Sequence, residues 1–172
     1  MKKLLPGVLS AVAIVLFAAS VSVNAAPVVS NPKPVITNLS GPAVYVDDEL
    51  CADEGFDVNV NGYDWAVEAD YYDAHGNLTK TVYADRFVGT VTANGVTLNK
   101  NEDAIITLDW IAGTETWVGL AESYSYPHGR LIAADIGVVT FDADGNVVRE
   151  LGPHPLTNGP GVVAVCHALG GV

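Results

Sequence analysis

Basic residues are scarce in this chain: eight Lys and Arg stand against twenty Asp and Glu, a formal net charge of −12. Phosphate backbones and anionic lipid heads repel so acidic a chain, which sets aside nucleic-acid binding and peripheral membrane binding. Catalytic signatures are missing as well. No phosphate loop, nucleophile elbow, zinc-protease helix or paired CxxC occurs. Cysteine is limited to Cys51 and Cys166. Sustained apolar spacing at three and four residues, which would mark amphipathic helices, is absent too.

What is present begins with MKKLLPGVLSAVAIVLFAASVSVNA, two lysines followed by an apolar run and small residues. This is the layout of a secretory signal peptide, with cleavage expected after Ala25. The rival reading is a membrane anchor. The run from Leu4 to Ala19 is interrupted by Pro6 and Gly7 and falls short of the ~20 residues a spanning helix needs. Three segments are therefore expected: a signal peptide over 1–25, a Pro-rich extended leader over 26–42, and one domain over 43–172. Processing would leave six basic and twenty acidic residues, a formal charge of −14. In an exported protein an even cysteine pair reads as a disulfide, here Cys51–Cys166, tying the start of the domain to its end. Metal ligation by the pair is the alternative, and no second Cys/His cluster supports it.

Alternation by two dominates the domain. FDVNVNG sets Phe56, Val58 and Val60 against Asp57, Asn59 and Asn61; WAVEADYY sets Trp65, Val67, Ala69 and Tyr71 against Ala66, Glu68, Asp70 and Tyr72. Asn94-Gly95 after RFVGTVTA is a strong hairpin signal. Turn signals every ~8–12 residues predict an all-β fold. The expected form is a single antiparallel meander barrel of about eight strands, the alternative a two-sheet β-sandwich. Leu131 to Phe141 is apolar on both faces, which suits a covered strand or one bent at Gly137.

YYDAHGNLTK and TFDADGNVVR share one pattern. As an EF-hand loop counted from Asp142, Asp144 and Asn146 fit positions 3 and 5, but Val147 replaces the glycine at 6 and Pro153 the carboxylate at 12. Both stretches fit better as Asp-initiated turns with a left-handed glycine. They predict hairpins over Trp65–Ala84 and Ile132–Glu150, with a weak calcium contact at Asp142 and Asp144 as the lesser reading.

Candidate binding residues are few. SYSYPHGR places Tyr124, Tyr126, His128 and Arg130 at alternating positions; if extended, they form one row able to hold a carboxylate ligand or clamp an anion. The bland alternative is the aromatic exterior of a strand ending at Pro127-Gly129. Trp65 and Trp110 share parity with the presumed inward sets of their strands and would line an apolar interior; Trp117 is expected at a rim or outside. A Ser123–His128–Asp109 triplet is available by composition, but only geometry could support it. No catalytic residue and no cofactor is assigned.

The signal peptide, the hairpin FDADGNVVRELGPHPL and the segment GVVAVCHALG, with its cysteine partnered to one in ELCADEGFDVNV, together resemble the small secreted β proteins of actinobacteria-like bacteria. The resemblance spans most of Cys51 to Leu169. It implies export, an all-β domain and the end-to-end disulfide, and brings no catalytic residues. His75 in its turn and the PHGR break depart from the pattern. The expected function is a secreted barrel that binds a small hydrophobic or aromatic molecule. The alternatives are a cell-envelope structural or interaction protein without a pocket, and a cyclase- or isomerase-like barrel enzyme. Beyond a small apolar ligand no partner is specified, and no membrane insertion is expected after signal removal.

Overall fold

In a computed structural model, residues 33–170 are described; the signal segment and the first part of the leader lie outside them. Eight strands form one antiparallel sheet: β1 (Val35–Asn38), β2 (Gly41–Asp47), β3 (Val58–Tyr72), β4 (Leu78–Ala93), β5 (Val96–Asp109), β6 (Thr114–Ser125), β7 (Leu131–Phe141) and β8 (Val147–Leu151). The meander runs β3-β4-β5-β6-β7-β8. On the far side of β3, β1 pairs with Val67–Asp70 and β2 with Val58–Asp64, so the two make one interrupted edge. The interruption is pinned at Ala66, whose carbonyl accepts from the Leu39 N–H at 2.9 Å and whose N–H donates to Ser40 Oγ at 3.1 Å. The sheet therefore begins at Val35, inside the Pro-rich extended leader, where Val35 to Leu39 is compatible with an added edge strand. The all-β antiparallel meander of about eight strands is as expected; the sheet is not closed, since β8 pairs with β7 alone.

The turns follow their residues. Asn94 and Gly95 both take positive φ, 50° and 79°, as the two-residue β4–β5 turn requires. The two DxxGN stretches are two copies of one turn. Asp73 Oδ1 accepts from the N–H groups of His75 and Asn77, and Asp142 Oδ1 from those of Asp144 and Asn146. Gly76 and Gly145 sit at φ 84° and 78°. Hairpins β3–β4 and β7–β8 result, as the sequence predicts.

One element departs from an all-strand reading. α1 (Pro160–Gly170) buries Gly161, Val165, Cys166 and Leu169, a stripe with helical spacing. The helix packs across β4, β5 and β7, and its stripe joins Val58, Val60, Val91 and Leu98 in the core. Full burial of side chains such as Val165 and Leu169 contributes about 1.5–3 kcal/mol each. Gly161 is required at the close approach: a Cβ there would lie 2.8 Å from the Pro155 carbonyl carbon. Cys166 is bonded to Cys51 with 5.6 Å between Cα atoms, so the helix is fastened to the segment that follows β2. A disulfide of this kind suits an oxidising, extracytoplasmic compartment. Among the described residues no helix is long and apolar enough to cross a membrane.

Candidate functional site

The helix covers only one end of its face of the sheet, and the residues at the uncovered end are set by parity. β3 pairs with β4 in a constant register from Asn59 to Tyr71. Val58 and Val60 point at the helix, so Gly62, Asp64, Ala66, Glu68 and Asp70 point the same way. Cross-strand partners extend this into rows. Glu68 lies opposite Tyr83, Tyr83 opposite Ile106, Ile106 opposite Trp117, and Trp117 opposite Val139. The next row outward is Asp70, Thr81, Leu108, Glu115 and Phe141; the next inward is Ala66, Asp85, Ala104, Gly119 and Gly137. Most members of the two rows through Glu68 and Asp70 are half-buried. The three rows make an apolar floor edged by carboxylates and aromatic rings, with no basic side chain among them.

Polar contacts fix the edges. Thr81 Oγ1 donates to Asp70 Oδ1 at 2.6 Å and accepts from Trp110 Nε1 at 3.0 Å. Trp117 Nε1 donates to the Glu115 carboxylate. Burial, and then the adjoining Glu68 carboxylate, hold the Tyr83 phenol well above its ordinary pKa. Asp64 and Asp85 are diagonal neighbours across β3 and β4, and Oδ1 of each is buried and meets no donor among the described residues. Burial, followed by the adjoining Asp64 carboxylate and the charge of Glu102, pushes Asp85 up to about 8.

A buried ionic group separates this open end from the dry core. Lys100 Nζ lies 3.0 Å from Glu102 and 2.8 Å from Glu122, and the Tyr124 hydroxyl donates to Glu122 at 2.6 Å. Burial alone would lower the Lys100 pKa; Glu122, Tyr124 and Glu102 outweigh it and hold the ammonium well above its ordinary value. Burial raises Glu102, with Lys100 opposing and Glu122 adding to the shift. Tyr124 is raised by burial and then by Glu122.

The ligand residues expected from sequence are scattered. Trp65 lies on the opposite face, 48% exposed, tilted at 47° against Tyr63 with 4.7 Å between centroids and under Arg86. The correction follows from treating Val58–Tyr72 as one unbroken strand: the side that buries Val58 and Val60 cannot also turn Trp65 inward. Trp110 is on the expected side but 54% exposed, at the end of β5. Trp117, expected at a rim or outside, lies on the floor instead. Tyr124 is buried, while Tyr126 stacks with Arg130 at 5.8 Å. The four-residue row is broken, because the chain turns at Gly129 (φ 86°), with the Tyr126 N–H donating to the Arg130 carbonyl. His128 is left exposed in that turn. Ser123 Oγ donates to the Asn101 carbonyl, on the face opposite Tyr124. Asp142 spends its carboxylate on its own turn, and Asn146 holds its pKa below the usual carboxylate range. Among the described residues no three His, Cys, Asp or Glu side chains are grouped to hold a metal ion.

Sequence reasoning missed Asp64, Glu68, Tyr83, Asp85, Lys100, Glu102 and Glu122. The available signal was Asp64, Glu68 and Asp70 continuing the parity of Val58 and Val60, where a buried face would want apolar residues. A separate open cleft of about 260 Å³, lined by Glu54, Phe56, Asn94, Cys166, His167 and Gly170, lies beside the disulfide and holds none of the expected ligand residues. No family model, curated protein or solved structure matches the chain.

Proposed function

We propose that this chain is an exported binding module, released by a signal peptide over 1–25, whose open acidic rows take an organic cation with an apolar body. The carrying observation is the row Glu68–Tyr83–Ile106–Trp117, bounded by Glu115, in which two aromatic residues and two carboxylates adjoin an aliphatic floor. An ammonium group gains from carboxylates at short range, and from aromatic faces by about 0.5–2 kcal/mol. A neutral apolar ligand would cover these carboxylates without pairing them, at roughly 1–3 kcal/mol each or more. An anion would be repelled. The ligand class expected from sequence is thereby narrowed from apolar to apolar and cationic.

The test is tryptophan fluorescence titration with three probes of similar shape: benzyltrimethylammonium, benzyl alcohol and phenylacetate. The ammonium should bind at least about tenfold tighter than the alcohol, about 1.4 kcal/mol, and more weakly as salt rises. The Glu68→Gln/Glu115→Gln variant should lose that preference. Equal affinity for the ammonium and the alcohol would overturn the reading.

A further inference from the structure

The face of the sheet away from α1 is apolar along a continuous line. Val67 lies opposite Ala84, Ala84 opposite Ile105, Ile105 opposite Val118, Val118 opposite Val138, and Val138 opposite Leu151. This ladder crosses six adjacent strands, about 24 Å at ordinary strand spacing. Its members are not covered: Val67 is 41% exposed, Ile105 43%, Val118 45% and Leu151 53%. Exposed apolar fields of this extent mark contact surfaces. At one end the ladder meets the exposed Tyr63, Trp65 and Arg86, with Trp65 in tilted contact with Tyr63 and under the Arg86 guanidinium. Tyr, Trp and Arg are the side chains most enriched among residues that dominate interface energies.

We infer that this face docks against the same face of a second copy of the chain, two open sheets closing into one sandwich across a twofold axis. Charge selects this occupant. On strands β3 to β7 the helix-bearing side carries eight carboxylates, Asp64, Glu68, Asp70, Asp85, Glu102, Glu115, Glu122 and Asp135, against Lys100 alone. The opposite side of β3 to β8 carries Lys80, Arg86 and Arg149 against Asp103 and Asp109, close to neutral. Two copies can meet there with their acidic sides turned outward. An anionic lipid surface would meet a strongly acidic molecule with little basic charge on the docking side to offset it. The four outward positions from Tyr63 to Ala69 add about 20 Å along the strand. Side-chain relief on a field this size brings its accessible area towards the ~800 Å² per partner of a standard interface. Apolar sheet faces cover one another at about 10 Å separation with strands roughly 30° apart. The inference stands apart from the ligand reading above, since no residue is shared.

Sedimentation velocity of the disulfide-bonded full chain, from about 1 µM to about 200 µM, tests it. A monomer–dimer equilibrium is expected, with Ile105→Glu/Val118→Glu weakening association at least about 100-fold while circular dichroism stays unchanged. In a Trp110→Phe/Trp117→Phe background, Trp65 emission should shift to the blue as concentration rises. A wild-type monomer at the highest concentration overturns the inference. Dimerisation untouched by the double Glu variant overturns it too. So does a monomer that co-floats with phosphatidylcholine–phosphatidylglycerol vesicles, which would make lipid the occupant.

Discussion

Asp64 on β3, opposite Phe87, and Asp85 on β4, opposite Ala66, are diagonal neighbours on one face of the strand pair, each with a buried carboxylate oxygen that no donor meets among the described residues. Two such groups hold one proton more readily than none. Asp85, raised from 3.8 to about 8, keeps its proton when folded and loses it when unfolded over that interval. The native state therefore binds more protons between about pH 4 and pH 8, and stability must fall as pH rises through that window. After allowance for solvent screening the loss is on the order of 1–2 kcal/mol. Asp85→Asn should flatten this slope, leaving the variant more stable than the parent at pH 9; urea denaturation at pH 5 and pH 9 checks it.

Lys100 neutralises two carboxylates that the sheet and Tyr124 hold in place. Lys100→Met would strand Glu102 and Glu122, costing about 3–5 kcal/mol at neutral pH. Part of that loss should return on acidification, as the stranded carboxylates take up protons. Adding Glu102→Gln and Glu122→Gln should bring stability back to within about 1–2 kcal/mol of the parent. A triple variant as unstable as the single one would mean that packing of the lysine stem, and not its charge, stabilises this region.

Phe87 lies over two glycines that face each other on β3 and β4. A Cβ on Gly62 would approach Phe87 Cζ to 2.5 Å, and one on Gly89 to 2.6 Å; the latter would also lie 2.5 Å from the Asn61 carbonyl oxygen. The ring can swing away but the carbonyl cannot. Gly89→Ala should cost about 1–3 kcal/mol, and Phe87→Leu added to it should recover only part. Thermal melts of the two variants decide this.

The bond between Cys51 and Cys166 closes a separation of 115 residues. Breaking it should remove on the order of 4–5 kcal/mol in the chain-entropy account. α1 should feel the loss first, because Cys166 is in its buried stripe. Hydrogen exchange on the Cys51→Ser/Cys166→Ser variant should show faster exchange in 160–170 than in the central strands β4 and β5.

The hairpins were legible because each rests on a local rule: Asn-Gly at 94–95, and Asp with Gly three residues on at 73–76 and 142–145. The disulfide was legible from compartment and count. Three features were not, each for a physical reason. α1 is apolar nearly all round, so Val162, Val163 and Ala164 hide the stripe of Gly161, Val165 and Leu169; Pro160 after Gly159 was its one clear start signal. The inward set of β3 was misassigned because apolar residues change sides after Gly62 while the strand does not. In β6 a bulge between Leu120 and Glu122 shifts parity, so Trp117 and Tyr124 share a face although their numbers differ by seven. The open rows depended on both of these facts, and an alternation count made segment by segment cannot supply them.

At the end of the sheet beyond Asp70 and Glu115, three reversals begin with an aspartate that clamps its own loop. Asp73 and Asp142 do so in the paired DxxGN turns, and Asp109 Oδ1 accepts from the N–H groups of Ile111 and Ala112. The mouth of the acidic rows is thus framed by loops already locked before anything arrives. These three turns would need little reordering to admit a guest, so they would add little ordering entropy against capture. Arrival would be governed by diffusion and charge, and selectivity could be altered by exchanging those three loops without disturbing the strands behind them.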